Sequence, residues 1–268
     1  MALQLDGYFD ESERPKQGKE PISLAGYVFK PTAYKGFCRE WKALLKSGPA
    51  PTTHFHMTHL YARSYEYEGW TVDERAAHLA SAIVIVRKYM HFGVSVLISQ
   101  ADFERLAPPL YRFQYGSIYA TACQMVLAAA SFWMKEHNSR LPTAYAFESG
   151  HRFWDEADGI MKGIAKVPAL KQKYCYRTHF AMDKTESYGL QAADMFAWIM
   201  TRLNVGLPDT HSMRAFIPII PSLVEGLSHR YQLFHPAEEG LLKYFDDQIT
   251  NPNVMLVQMV KARKLRLR

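Results

Sequence analysis

The sequence predicts an α/β protein in which helices flank a mixed β-sheet. Short apolar segments with the composition of strands alternate with longer segments whose apolar residues recur at helical spacing. Hydrophobic residues make up 48% of the 268 residues, enough for a sizeable core and atypical of a disordered chain. Together these observations indicate a sheet whose strands are buried beneath helices.

The N-terminal part of the chain predicts a hairpin followed by helices. Residues 3–9 are rich in strand formers, and residues 22–29 form a second apolar segment. The charged residues 13–20 between them contain proline and glycine and predict a turn, so the two strands are expected to pair antiparallel. Residues 34–46 carry apolar side chains at helical spacing, and residues 71–89 begin with a capping-box pattern.

The rest of the chain continues the alternation. Its predicted strands and helices are, in order, strand 92–98, helix 115–136, strand 143–148, helix 153–164, strand 173–181 and helix 190–199. Residues 238–249 also have a helical pattern. Residues 205–268 are less regular, and the last nine carry five Lys or Arg and no acid. We therefore divide the chain into an α/β domain, residues 1–204, and a helical, basic C-terminal extension, residues 205–268, packed on it.

Three acids stand where a sheet would bring them together. Asp10 and Glu148 each end an apolar strand, and Asp194 lies in the middle of an apolar helix with no basic residue four positions later. Neighbouring strands are about 5 Å apart, so two strand-end acids can share an ion, and a helix over those ends can supply the third. Carboxylate ligands suit Mg²⁺ or Mn²⁺, which assist phosphodiester cleavage by stabilising the attacking and leaving oxygens.

A second set of candidate residues is histidine-rich. His54, His56 and His59 lie within six residues, and two histidines separated by one residue face the same side of a strand. Zinc hydrolases bind their metal through such histidines. The pattern approximates the H-x-H-x-D-H motif of metallo-β-lactamase-like hydrolases, but Thr58 stands in the aspartate position. A zinc site is the weaker prediction, and His56 is kept as a residue that lines the acidic site.

Charge and hydropathy narrow the classes of partner. The formal net charge of +6 favours an anionic partner such as DNA or RNA, and the basic tail could contact phosphates or simply be solvated. No segment reaches the roughly 18 apolar residues of a membrane span. The first residues lack the pattern of a signal peptide, so the cytoplasm is the expected location. The three cysteines match neither a disulfide framework nor a metal motif.

Four stretches resemble the DUF3800 family, which is thought to be a branch of the ribonuclease H-like superfamily. They are YFDES at residues 8–12, FHMT at 55–58, AFES at 146–149 and LQAADMFAW at 190–198. The resemblance implies a ribonuclease H-like sheet and metal-binding acids at Asp10, Glu148 and Asp194. It also implies a divalent-metal-dependent nuclease, with Glu11 and His56 assisting.

Several alternatives stay open at this stage. Superfamily nucleases often use four carboxylates, and Glu11, Asp183 or Glu186 could be the fourth. One fold hosts many functions, so a non-catalytic adaptor for nucleic acid or protein is the main rival to a nuclease. A zinc hydrolase that uses His54, His56 and His59 is the second rival.

Overall fold

The six strands in the described part of the chain form one mixed sheet. The computed structural model describes residues 4–12, 21–205, 211–223, 225, 228–236 and 238–250. The strands are β1 (Leu5–Ser12), β2 (Ile22–Phe29), β3 (Phe92–Ile98), β4 (Thr143–Glu148), β5 (Tyr176–Met182) and β6 (Tyr231–Phe234). Their order across the sheet is β5-β4-β1-β2-β3-β6. The predicted α/β class and the predicted mixed sheet are confirmed.

Strand β1 lies inside the sheet and determines where the strand-end acids meet. It pairs antiparallel with β2 and parallel with β4. The parallel register pairs Phe9 with Phe147, so Asp10 and Glu148 follow at equivalent positions on neighbouring strands. Both acids therefore reach the same edge of the sheet, as the sequence predicts. The register is fixed because a shift by one residue would move the buried Leu5 and Phe9 to the opposite face.

Helices cover both faces of this sheet. In the described part of the chain they are α1 (Pro31–Leu45), α2 (Met57–Ala62), α3 (Val72–Tyr89), α4 (Gln100–Leu106), α5 (Pro109–Tyr115), α6 (Ile118–Glu136), α7 (Trp154–Lys166), α8 (Pro168–Lys173), α9 (Tyr188–Val205), α10 (His211–Phe216) and α11 (Glu238–Thr250). Helices α6, α7 and α11 share one hydrophobic core with the sheet. Helices α1, α3 and α9 share a second core on the opposite face.

Helix α9 approaches the sheet closely at one glycine. A Cβ atom on Gly189 would lie 2.4 Å from Cγ of Tyr8, so only glycine allows the helix this near to β1. The Tyr8 ring is itself stacked on Tyr34, with 4.8 Å between centroids, and cannot move aside easily. The close approach brings Asp194, further along α9, toward the end of β1.

A described segment after residue 204 joins the same sheet as the earlier strands. Strand β6 pairs parallel with β3 and forms one edge of the sheet. The C-terminal extension was expected to be helical, and α10 and α11 are helices, but it also supplies this strand. Its Leu241 and Phe245 belong to the core beneath α6. Residues 251–268, which include the basic tail, lie outside the described residues.

None of the described helices alone has both the length and the apolarity to cross a bilayer. Helices α5 and α6 reach that length and apolarity only when they are taken together, and their axes meet at 77°.

Candidate functional site

A polar cavity of about 540 Å³ opens at the edge of the sheet where β1 and β4 end. Five separate segments of the chain contribute to it, so the site exists only in the folded protein. Its acidic side is formed by Asp10, Glu11, Glu148 and Asp194. Its other described lining residues include Ser12, His56, His151, Arg152, Lys184 and Trp198. The structure thus brings together all five site residues that the sequence predicts.

Lys184 bridges two of the predicted acids. Its Nζ atom donates to Oδ2 of Asp10 at 2.7 Å and to Oδ1 of Asp194 at 3.0 Å. The three side chains are 16%, 2% and 9% exposed, so these charges have little access to water. Burial alone would lower the pKa of Lys184, but the two carboxylates raise it above its ordinary value. The ammonium therefore stays charged, and it sits where two carboxylates meet.

The other two acids of the cavity are not neutralised in this way. Burial raises the pKa of Glu148 to about 8, and Asp10 and Asp194 add to that increase. Burial and the neighbouring Asp10 also raise the pKa of Glu11. In the described part of the chain, Oε2 of each glutamate is buried without a hydrogen-bond partner. The acidic side of the cavity thus has more carboxylates than the Lys184 ammonium can balance, which is an environment that favours additional cations or protons.

Asp194 also organises the backbone across the cavity. Its Oδ2 atom accepts a hydrogen bond from N–H of Met57 at 2.6 Å, at the first residue of α2. The same oxygen lies 3.8 Å from Nδ1 of His56. Burial lowers the pKa of His56, so its ring is neutral near pH 7 although an acid lies nearby. Asp194 therefore holds the histidine-bearing segment against the acidic side.

The histidines do not have the arrangement expected of a zinc site. Helix α2 begins at Met57, so His56 and His59 lie at the N-cap and within a helix rather than on a strand. Their rings are stacked, with centroids 4.1 Å apart and 12° between planes. His54 instead contacts Glu66, at 3.6 Å. Stacked rings present faces to each other, whereas a metal needs ring nitrogens that point at one centre.

The Lys184 ammonium, rather than a metal ion, lies between the acids of the cluster. Within the described residues, no group of three His, Cys, Asp or Glu side chains is arranged to hold a metal ion. Lys184 Nζ instead lies between Asp10 and Asp194. The donor set is nevertheless chemically suited to a hard cation, because it consists of carboxylate oxygens and includes unpaired ones on Glu11 and Glu148. The residues present therefore fit Mg²⁺ or Mn²⁺ better than zinc.

Of the three candidates for a fourth carboxylate, Glu11 is the one that lines the cavity. Asp183 is exposed, and its Oδ1 accepts hydrogen bonds from N–H and Oγ1 of Thr185, which hold the turn before α9. Glu186 is exposed in the same turn. The structure thus singles out Glu11 by position.

Two residues that hold the site together, Lys184 and Gln191, are among those not identified as site residues from the sequence. The Gln191 amide donates to the carbonyl oxygen of Lys184 at 3.0 Å and accepts from N–H of Phe55 at 3.1 Å. It also accepts from Nε1 of Trp41 at 2.9 Å. Gln191 therefore ties both flanking segments to α9, and its place three residues before Asp194, on the same helix face, is the sequence signal that could have revealed it.

Neither a scan against protein-family models nor a search of curated proteins found a match for this chain. The resemblance to the DUF3800 family therefore depends on the four sequence stretches alone.

Proposed function

We propose that the protein is a divalent-metal-dependent phosphodiester hydrolase that acts on DNA or RNA, built on a ribonuclease H-like fold of the DUF3800 family. One observation carries the proposal: carboxylates from β1, β4 and α9 line one open cavity, and the Lys184 ammonium pairs with two of them, Asp10 and Asp194. The resemblance implies acids on the first strand, on a later strand and on a late helix, and Asp10, Glu148 and Asp194 have those positions. The net charge of +6 suits a polyanionic substrate in the cytoplasm.

The residues divide into groups that hold a cation and groups that handle protons. Asp10, Glu148 and Asp194 would hold the ion, with Glu11 beside them. When bound, Mg²⁺ or Mn²⁺ supplies electrostatic stabilisation of the oxygens that gain charge during phosphodiester cleavage. The neutral His56 ring can orient a water molecule or contact a phosphate. The pKa of Glu148, about 8 without metal, allows this group to take up or release a proton near neutral pH.

One feature of the site favours a second candidate function, a non-catalytic adaptor for nucleic acid or protein. Lys184 pairs with Asp10 and Asp194 without any metal, which is how a structural ion-pair network would satisfy buried acids. In an adaptor, the cluster would stabilise the fold, and the cavity would bind a partner without turnover.

A cleavage assay with matched variants separates the two functions. We expect the protein to cleave at least one member of a panel of labelled DNA and RNA strands, hairpins and duplexes when Mg²⁺ or Mn²⁺ is present. Asp194→Asn removes a charge that would hold the ion, so cleavage should fall by orders of magnitude. Asp247→Asn, which changes an exposed acid on α11 outside the cavity, is the control and should retain activity.

Thermal melting of the same variants gives an independent readout. An ion that binds only the folded state stabilises that state by RT ln(1 + [L]/Kd), where [L] is the ion concentration. Because Asp194→Asn should bind the ion more weakly, Mg²⁺ should raise the melting temperature of the parent more than that of the variant. Cleavage by Asp194→Asn at the parental rate would contradict the proposal. Nucleic-acid binding without cleavage by the parent, together with equal Mg²⁺ shifts in both proteins, would identify the adaptor.

A further inference from the structure

Three aromatic rings form a continuous stack that leads from the cavity to the protein surface. His56, which lines the cavity, stacks on His59 with centroids 4.1 Å apart and planes 12° apart. His59 in turn stacks on Tyr65, with centroids 4.2 Å apart and planes 28° apart. We call these three residues the aromatic ladder. Its inner end lies beside Asp194, and its outer end is the ring of Tyr65.

Tyr65 is unusually placed for a large aromatic side chain. It is 74% exposed, the highest value among the exposed large hydrophobic residues in the described part of the chain. Its φ angle is +54°, in the left-handed region that non-glycine residues rarely occupy. One face of the ring is covered by His59, and the side chain is otherwise open to solvent. Arg63, Asn138 and Cys175 share this conformation, which in proteins clusters at active sites and ligand clamps.

The segment that carries Tyr65 is anchored on both sides. N–H of Ser64, just before it, donates to the carbonyl oxygen of His59 at 3.1 Å. Glu66, just after it, accepts a hydrogen bond from N–H of Thr53 at 3.0 Å. The following residue, Tyr67, is buried in the core. The exposed ring is therefore presented by a firmly held backbone, which lowers the entropy lost when a ligand binds.

The rings of the ladder have the geometry of stacked aromatic groups, with small angles between neighbouring planes. Flat rings at these separations make the stacked contacts that aromatic pairs prefer. A further flat ring placed on the open face of Tyr65 would extend the same stack by one member.

We propose that the aromatic ladder binds an unpaired base of single-stranded nucleic acid, which stacks on Tyr65 while the strand runs toward the acidic cavity. This inference deepens the proposed function and rests on it, because it names the substrate class of the same site. Every base has a flat face, so stacking tolerates any sequence. In a duplex both faces of an internal base are already covered by its neighbours, so the ladder selects single strands, loops or ends.

The test measures binding of nucleic acid to the protein in buffer that contains a metal chelator, so that no metal-dependent cleavage occurs. The probes are fluorescein-labelled single strands of DNA and of RNA, an abasic strand of equal length, and a blunt duplex. Removing one stacking ring reduces affinity for single strands by about 5- to 160-fold, which corresponds to about 1–3 kcal/mol per stacked base. We expect Tyr65→Ala to lose affinity for the base-bearing strands by that factor, and Tyr65→Phe to bind like the parent.

The control is Phe113→Ala. Phe113 is 67% exposed on α5 and does not line the cavity, so its removal tests whether any exposed aromatic residue has the same effect. It should leave affinity unchanged. Melting curves of all variants should coincide within a few degrees, since Tyr65 is outside the core.

The inference is overturned if Tyr65→Ala binds the base-bearing strands as tightly as the parent. It is also overturned if the loss of affinity is equal for the abasic strand or for the duplex. Its failure is distinct from failure of the nuclease proposal. If binding depends on Tyr65 but no cleavage occurs, the ladder inference is supported and the nuclease proposal is contradicted. If cleavage occurs but binding does not depend on Tyr65, the nuclease proposal is supported and the ladder inference is contradicted.

Discussion

Among single residues, Lys184 has the largest influence on the candidate site, because its charge occupies the space between Asp10 and Asp194. A lysine side chain is flexible and carries one charge, so it can leave this position when a doubly charged ion binds more strongly. A divalent metal ion and the Lys184 ammonium would therefore compete for one location. This competition leads to a prediction that differs between a metal site and a structural ion pair.

We predict that Lys184→Met lowers stability without metal and increases the response to metal. The substitution leaves two buried carboxylates without their cation, and breaking a buried pair in this way removes about 3–5 kcal/mol from the free energy of unfolding. Mg²⁺ should then raise the melting temperature of the variant more than that of the parent, since no ammonium competes with it. The measurement is urea unfolding in chelator and thermal melting across a Mg²⁺ series.

Lys162→Met is the matched control for this experiment. Lys162 pairs with Asp158 on α7, but its side chain is 59% exposed, so the pair contributes little. The control should change neither stability nor the Mg²⁺ response appreciably. A smaller Mg²⁺ shift in Lys184→Met than in the parent would show that the lysine helps to bind the ligand rather than competing with it.

The sequence revealed the acids of the site but not their partners, for a physical reason. Asp10 and Glu148 end apolar strands and Asp194 interrupts an apolar helix, so each is recognisable as a polar group in a place where burial is costly. Lys184 lies in a polar turn, where a lysine is unremarkable. Its role depends on how the turn folds back over β1, which no local pattern encodes.

At the level of elements, the position of α9 relative to β1 depends on Gly189. We predict that Gly189→Ala destabilises the protein by about 1–3 kcal/mol, because the added methyl group would overlap the Tyr8 ring. Moving α9 outward also separates Asp194 from Asp10, so the stabilisation by Mg²⁺ should decrease in parallel. Denaturant unfolding with and without Mg²⁺ measures both effects.

Gly159→Ala in α7 provides the comparison for that change. No atom lies within 4 Å of the position that its Cβ would occupy, so alanine fits and improves helix propensity by about 0.5–1 kcal/mol. The two substitutions are chemically identical and should have opposite effects on stability. Equal stability of Gly189→Ala and the parent would mean that α9 can shift without loss.

His78 on helix α3 makes the free energy of unfolding depend on pH. This residue is buried among Phe55, Tyr67 and Trp70, and burial lowers its pKa to about 4. The unfolded chain binds a proton with a pKa of about 6.5, so the folded state is favoured above that pH and loses stability as pH falls toward 4. The largest loss is about 3 kcal/mol, because one pKa unit corresponds to about 1.4 kcal/mol.

We predict that His78→Phe reduces this loss between pH 6.5 and 4.5. The measured quantity is the difference in free energy of unfolding between parent and variant at each pH. A difference is needed because burial raises the pKa of Asp10 and Glu148, and those groups make the folded state more stable as pH falls through the same range. A pH-independent difference would show that His78 is not protonated on unfolding in this range.

Elements with strong local patterns were predicted well, and those that depend on distant contacts were not. The predicted strands 22–29 and 92–98 coincide with β2 and β3, and the capping box at Thr71 is present at the start of α3. Helix α2 was missed. Its first N–H group is held by Asp194, and Arg75 donates to the carbonyl oxygens of Leu60 and Tyr61, so tertiary partners rather than local propensity fix this helix.

For the whole molecule, the uneven charge of the chain gives a prediction about substrate affinity. Deleting residues 260–268 removes five positive charges and no acid. If these contact phosphates, the slope of log affinity against log salt should flatten by up to about 0.9 per lost contact on duplex DNA, or about 0.7 on single strands. Binding isotherms at several salt concentrations measure the slope. An unchanged slope would mean that the tail is solvated.

Strand β1 pairs with β2 on one edge and with β4 on the other, and β4 is synthesised long after β1. Leu5 pairs with Thr143, so during translation the β1–β2 hairpin keeps an unpaired apolar edge until β4 has been made. Such an edge can pair with other chains. We therefore expect nascent chains that end before β4 to depend on chaperones for solubility. Because Asp194 lies on α9, the candidate site can assemble only after α9 has been synthesised.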